Sequence, residues 1–236
     1  MSARFEELDW RPTPMGEISL RRRRDPLSGE DVYEVKLDDD FLMSSLFTVA
    51  EVEVARLALA ELPGTELDVA VGGLGLGYTA LTVLDDPRVR SLVVVEALAE
   101  VIDWHERGLV PAGQVLTSDD RCRLVLGDFF SLVDGPGLDP EHPGRRFDAV
   151  VVDIDHSPRH LLSPGHGRLY TSAGTRRLAE QLADGGVFSL WSNDPPDAEY
   201  EAVLAEVFAG VRSEVVTFRN ALQGRDSTNT VYVART

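Results

Sequence analysis

Three acidic residues are placed where chemistry is done in α/β proteins. Glu96, Asp128 and Asp153 each follow a short run of valine and leucine, Val93–Val95, Leu124–Leu126 and Val150–Val152. A fourth such run, Leu67-Asp68-Val69-Ala70-Val71, leads into Gly72-Gly73-Leu74-Gly75-Leu76-Gly77 and then a helix beginning near Thr79. Glycines there let the backbone turn tightly and approach a ligand, while the helix start offers unpaired amides. Gly72, Gly73, Gly75 and Gly77 are therefore candidates for holding a nucleotide-like ligand. Glu96, 19 residues past Gly77, is placed to accept hydrogen bonds from both ribose hydroxyls of a nucleoside. Asp128, ending Leu126-Gly127-Asp128, is placed to meet the amino group of an adenine ring. Asp153, Asp155 and His156 are the candidates for acid–base work. An amine nucleophile must lose its proton before it attacks, and a carboxylate or imidazole within reach takes it. Trp191 and Asn193 follow the next strand and are candidates for the wall of an acceptor site.

Other chemistry is disfavoured. His156, His160 and His166 near Asp153 and Asp155 match no metal-ligand spacing, so no metal is expected, and the segment is long enough to act as a lid. Cys122 precedes a buried strand without an activating neighbour and is assigned no chemistry. Trp104-His105, on the helix after Glu96, reads as core packing and helix surface. Arg21–Arg24 read as a solvated strand edge.

The elements that must position these residues follow from pattern. Glu17–Arg24 and Asp31–Leu37 alternate across the turn Asp25–Glu30, which predicts a β-hairpin. Thr48-Val49-Ala50-Glu51 reads as a capping box opening a helix that Pro63-Gly64 ends. Strands Leu67–Val71, Ser91–Glu96, Arg123–Leu126, Phe147–Asp153 and Val187–Trp191 then alternate with helices. Asp197 caps a further helix reaching about Ala209, and Ser213–Phe218 and Thr228–Val233 are the last strands. Strands continuous in apolar residues are covered on both faces, hence parallel, and ligands sit at their carboxyl ends where strand order reverses. The division expected is an N-terminal β-hairpin extension over 1–45 and a ligand-binding domain over 46–236.

Composition agrees with that plan. The 236 residues carry 23 Lys and Arg against 40 Asp and Glu, a net charge of −17, with 43% apolar residues. Such a chain buries a core and is not disordered. Its acidity disfavours nucleic-acid binding and suits a cationic small substrate. No apolar run approaches the roughly 20 residues of a membrane crossing. Met1–Glu7 lacks a secretory pattern, and one cysteine fits a reducing compartment, so a cytoplasmic protein is expected.

Strand, glycine loop, acid, strand and Gly-Asp fit either a nicotinamide enzyme or an S-adenosylmethionine enzyme. The last helix and two strands look like the closing antiparallel hairpin of the latter. The expected fold is thus α/β, a Rossmann-like class I S-adenosylmethionine-dependent methyltransferase fold with a seven-stranded, mostly parallel sheet. At this point the chain resembles the spermidine synthases, the polyamine aminopropyltransferases. The likeness rests on the N-terminal hairpin, Gly72–Gly77, Val94-Val95-Glu96, Leu126-Gly127-Asp128, Phe147–Asp153, Leu169-Tyr170 and Asp184-Gly185-Gly186-Val187. The resemblance implies that Glu96 holds the ribose and Asp128 the adenine. Asp153 would lie beside the methionine-derived tail and the incoming amine, Tyr170 at the acceptor, and the protein would be a homodimer. The co-substrate would be S-adenosylmethionine or its decarboxylated form.

This chain also departs from the family. Gly75 replaces the aspartate of the glycine loop, and Asp153-Ile154-Asp155-His156 replaces two aspartates three apart. The family's Gln and Glu after the fifth strand are replaced around Trp191–Asp194, and its tyrosine-containing diamine segment has no counterpart in Arg219–Ser227. A buried ammonium without an anionic partner is costly. Methyl transfer to a small acceptor, a cationic amine among them, therefore comes first, and aminopropyl transfer to a polyamine is the alternative. A non-catalytic nucleoside-binding scaffold and a dehydrogenase follow.

Overall fold

The computed structural model describes residues 5–220 and 222–236; residues 1–4 of the N-terminal extension and residue 221 lie outside the described residues. The chain opens with β1 (Phe5–Thr13), β2 (Gly16–Arg24), β3 (Asp31–Leu37) and β4 (Asp40–Ser44), a four-stranded antiparallel sheet in that order. The expected hairpin is its central pair, β2 against β3. Arg21–Arg24 therefore lie on an inner strand rather than an edge. Acidic neighbours explain how: Arg22 pairs with Glu6 of β1 at 2.5 Å, and Arg23 with Glu34 of β3 at 2.6 Å. The acid-rich β1 is a strand through its backbone ladder with β2, and Arg21 and Arg22 lie beside its Glu7 and Glu6.

A second sheet follows α1 (Val49–Ala60). Its strands are β5 (Leu67–Gly72), β6 (Val89–Glu96), β7 (Cys122–Leu126), β8 (Phe147–Val152), β9 (Leu182–Ser192), β10 (Gly210–Asn220) and β11 (Arg225–Arg235). Their spatial order is β10-β11-β9-β8-β5-β6-β7, with β5 to β9 parallel and β10–β11 the antiparallel closing hairpin. This is the class I methyltransferase-like α/β fold. Side chains alternate between two cores, Val69, Val71, Ala149 and Val151 on one face and Ala70, Val150 and Val152 on the other. The helices covering these faces include α2 (Tyr78–Asp85), α3 (Ala99–Glu106), α4 (Gly113–Ser118), α5 (Phe129–Asp134), α6 (Ser172–Ala179) and α7 (Ala198–Ala205). Asp197 caps α7, accepting from the Glu199 amide at 2.9 Å.

Two features fix the site's frame. Strand order reverses between β5 and β8, where Gly72 pairs with Val152 and the Asp153 amide donates to the Gly72 carbonyl at 2.9 Å. The N-terminal sheet is pinned to the domain through Trp104, fully buried, whose Nε1 donates to Asp9 at 2.7 Å, and through Arg11 with Asp103 at 2.5 Å. Among the described residues no helix is long and apolar enough to cross a membrane.

Candidate active site

The glycine loop leaves β5 at the reversal and folds back over the crevice. Gly73 has φ +94°, and a Cβ there would lie 2.2 Å from the Asp153 carbonyl oxygen, so only glycine lets the two strand ends meet. Glu96 holds the loop from below: its carboxylate accepts from the Leu74 amide at 3.0 Å and the Leu98 amide at 2.9 Å. Burial raises the Glu96 carboxyl above its ordinary value, and the backbone amides work against that. A carboxylate has about four lone-pair sites, which loop amides and ligand hydroxyls would share. His105 holds the loop from the other side, 2.9 Å from the Gly75 carbonyl. Burial lowers its pKa, so the neutral ring must donate from Nε2, because a carbonyl only accepts. It is a positioning residue that the sequence reading assigned to the helix surface.

In front of this loop lies a cleft of about 610 Å³ lined by Gly73, Gly75, Glu96, Asp128 and Asp153. Asp128 also caps α5, accepting from the Phe130 amide at 3.1 Å and Ser131 Oγ at 2.6 Å. The far wall is the His166 ring, stacked on Phe130 at 3.7 Å. Pro14, Met15, Leu42 and Met43 of the N-terminal sheet cover the opening. Met43 fills the space beside Gly75: a Cβ on Gly75 would lie 2.7 Å from its sulfur.

A smaller compartment of about 120 Å³ continues past Asp153, lined by Glu51, Tyr78, Thr79, His156 and Trp191 among others. Thr79 Oγ1 donates to Asp153 at 2.8 Å and lies 3.3 Å from the Glu51 carbonyl, which draws the first turns of α1 and α2 together. Burial pushes the Asp153 carboxyl up to about 6. Burial and then repulsion from Asp153 push Glu51 up to about 8. The expected capping box is thereby corrected: Thr48 makes no side-chain cap, and the Glu51 side chain lines the compartment. Glu51 shares a helical face with buried Ala55 and Ala58, at i+4 and i+7, and that spacing was a readable signal.

The other sequence candidates separate. His156 and Trp191 line the small compartment. Asp155 does not; at 1% exposure it lies beneath the following loop. It accepts from the Leu162 amide at 2.8 Å, His166 Nδ1 at 2.7 Å and the Tyr170 hydroxyl at 2.8 Å. Tyr170 is accordingly a core residue, stacked edge-on against Tyr200 at 5.6 Å, and not part of either cavity wall. Asn193 is exposed, and its side chain accepts from Asn229 at 3.1 Å. Residues two apart in a strand share a face, but Asp153 and Asp155 lie beyond β8, where the chain has already turned, so their side chains part. Burial pushes the Cys122 thiol up to about 12. No cluster of three metal-ligating side chains occurs among the described residues.

No family model matches the chain. A polyamine aminopropyltransferase of Pyrobaculum neutrophilum is 25% identical over 189 residues, 72% of this chain and 63% of that protein. Polyamine aminopropyltransferase 2 of Hyperthermus butylicus is 29% identical over 161 residues, 64% of this chain and 48% of that protein. The chain therefore spans less than two thirds of either relative. A spermidine synthase solved with the transition-state analogue AdoDATO superposes with a TM-score of 0.75 at 18% identity, covering 97% of this chain and 73% of that one. The spermidine synthase of Thermotoga maritima gives 0.74 at 18% identity, covering 97% and 72%. The chain is spermidine synthase-like.

Two stability measurements check this geometry. Gly73→Ala is expected to cost about 3 kcal/mol or more and lower the melting temperature by roughly 6–12 °C; an unchanged melt would show the loop free to shift. Glu51 has a folded pKa above its ordinary 4.5, so its ionisation costs stability as pH rises past 4.5 and fully above about 8. Glu51→Gln should therefore raise the melting temperature by about 4 °C or more at pH 9 and change it little near pH 5. Equal shifts at both pH values would contradict a raised carboxyl.

Proposed function

We propose that the chain is a transferase that takes decarboxylated S-adenosylmethionine and moves its aminopropyl group to an amine. The observation that carries this reading is the charge of the small compartment. It presents two acidic side chains, Glu51 and Asp153, and no lysine or arginine among the described residues that line it. The tail of S-adenosylmethionine would bring a third carboxylate into that space, and like charges brought together in a buried site cost several kcal/mol. The decarboxylated tail brings only an ammonium. The sequence placed methyl transfer first because Gly75 removes the family's acid; Glu51, reaching in from α1, supplies one by another route and favours the alternative. The curated relatives carry the name of that alternative.

The residues divide the work as follows. Glu96 accepts from the ribose hydroxyls, and Asp128 from the adenine amino group. Asp153 and Glu51 face the tail. The acceptor's neutral nitrogen attacks the aminopropyl carbon bonded to sulfur, the carbon–sulfur bond breaks, and its electron pair stays on sulfur, leaving methylthioadenosine. The proton lost from the acceptor passes to the carboxylate pair. Met43, Leu42 and Leu162 exclude water from the reacting atoms. Positioning and desolvation supply much of the acceleration in such a displacement. The same reading carries the family's homodimer and a cytoplasmic setting, supported by the resemblance and the single, inert Cys122.

Isothermal titration is expected to show decarboxylated S-adenosylmethionine binding at least tenfold tighter than S-adenosylmethionine, with no NAD binding. A preference for S-adenosylmethionine would restore methyl transfer, and NAD binding alone would remove both. Because a protonated pair cannot accept the acceptor's proton, kcat/KM should rise with pH between about 6 and about 8; a profile falling across that range would exclude the pair as base. Asp153→Asn should leave methylthioadenosine affinity within about threefold and lower turnover roughly 100-fold or more.

A further inference from the structure

We infer that the acceptor is a short primary amine with a single charged end, its remainder apolar or bearing a neutral oxygen, rather than a diamine; this rests on the aminopropyl reading above. Two cationic groups meet in the small compartment, the donor's ammonium and the acceptor's reactive amine. Two acids are there for them, Glu51 and Asp153, close enough that Asp153 opposes the ionisation of Glu51. Both are engaged before any second acceptor ammonium is considered.

The rest of the wall offers that second ammonium nothing anionic. Besides the neutral Ser44 and Thr79 hydroxyls and the His156 ring, it is lined by apolar and aromatic residues, Leu42, Leu162, Tyr78 and Trp191 among them. Trp191 Nε1 is buried with no hydrogen-bond partner among the described residues, and an indole N–H only donates. An ammonium cannot accept that bond, whereas a hydroxyl or ether oxygen can. The aromatic faces of Trp191 and Tyr78 attract a cation, but that attraction is smaller than the cost of stripping water from an ammonium. A methyl group in the same place costs nothing to desolvate and gains from burial.

Two acids beyond β9 are not free to help. Asp194, beyond β9, accepts from Ser157 Oγ at 2.6 Å and from His160 Nδ1 at 2.8 Å. Asp197 caps α7 and pairs with Arg159 at 2.6 Å. Both line a separate cavity, next to the Arg159 guanidinium, where a second positive charge is repelled.

The test is the rate of methylthioadenosine release by the wild-type chain at saturating decarboxylated S-adenosylmethionine, at pH 8, with n-butylamine, 4-aminobutanol and 1,4-diaminobutane. We expect kcat/KM for n-butylamine and 4-aminobutanol to exceed that for 1,4-diaminobutane at least tenfold. Leu42→Asp, which adds an acid to the apolar wall from the edge of the N-terminal sheet, should move the preference toward the diamine at least tenfold. A wild-type preference for 1,4-diaminobutane overturns the single-charge acceptor and leaves aminopropyl transfer standing. Release with none of the three amines, or no binding of the donor, overturns aminopropyl transfer itself and this inference with it.

Discussion

At the centre of the sheet Asp153, just past the end of β8, and Glu51, in the first turn of α1, line one compartment with no basic side chain on its wall among the described residues. Everything else near the site is organised by that constraint. Ionised acids in such a place prefer to bind a proton or a cation, so the site is poised for a positively charged ligand in a way that a neutral pocket is not. The cost of keeping them buried falls on the scaffold. A sheet covered on both faces, with Val69, Val71, Val150 and Val152 fully buried, supplies the packing that offsets it.

Acids two residues apart do different work here. Asp153 faces the ligand space, while Asp155 gathers an amide, an imidazole and a phenol and so shapes the segment from Ile154 to Tyr170. The His166 ring, held by Asp155 and stacked on Phe130, becomes a wall of the large cleft. Asp128 combines both roles, capping a helix and facing the cleft. Glu96 and His105 grip the glycine loop from its two sides, and the loop's shape is thereby set before any ligand enters, which lowers the ordering cost of binding.

The N-terminal sheet is a working part of this arrangement. It is fastened through Asp9 to Trp104 and through Arg11 to Asp103, on the helix that follows Glu96. That attachment brings β4 over the glycine loop and lets Met43 fill the space beside Gly75. With that space filled by a thioether, the acid that faces Asp153 has to come from another element, and α1 is the neighbour whose first turn reaches it.

Strand–helix alternation, the glycine loop and the acids ending successive strands were all legible in the residues, because each depends on local spacing and on the burial of continuous apolar runs. Glu96, Asp128 and Asp153 could be located for the same reason: a strand's end is a local event. The helical face shared by Glu51, Ala55 and Ala58 was legible too, but Thr48 at the right offset pointed to a cap, and nothing local tells a capping acid from one facing a cavity. Which way a side chain points after a strand ends is decided by the turn that follows, so Asp155 and Tyr170 went to the interior. The inner position of the arginine strand, Met43 over Gly75, and the meeting of Glu51 with Asp153 join residues far apart in the chain. Only the packing of one sheet against the end of another brings them within reach, and it is there that the charge of the pocket is set.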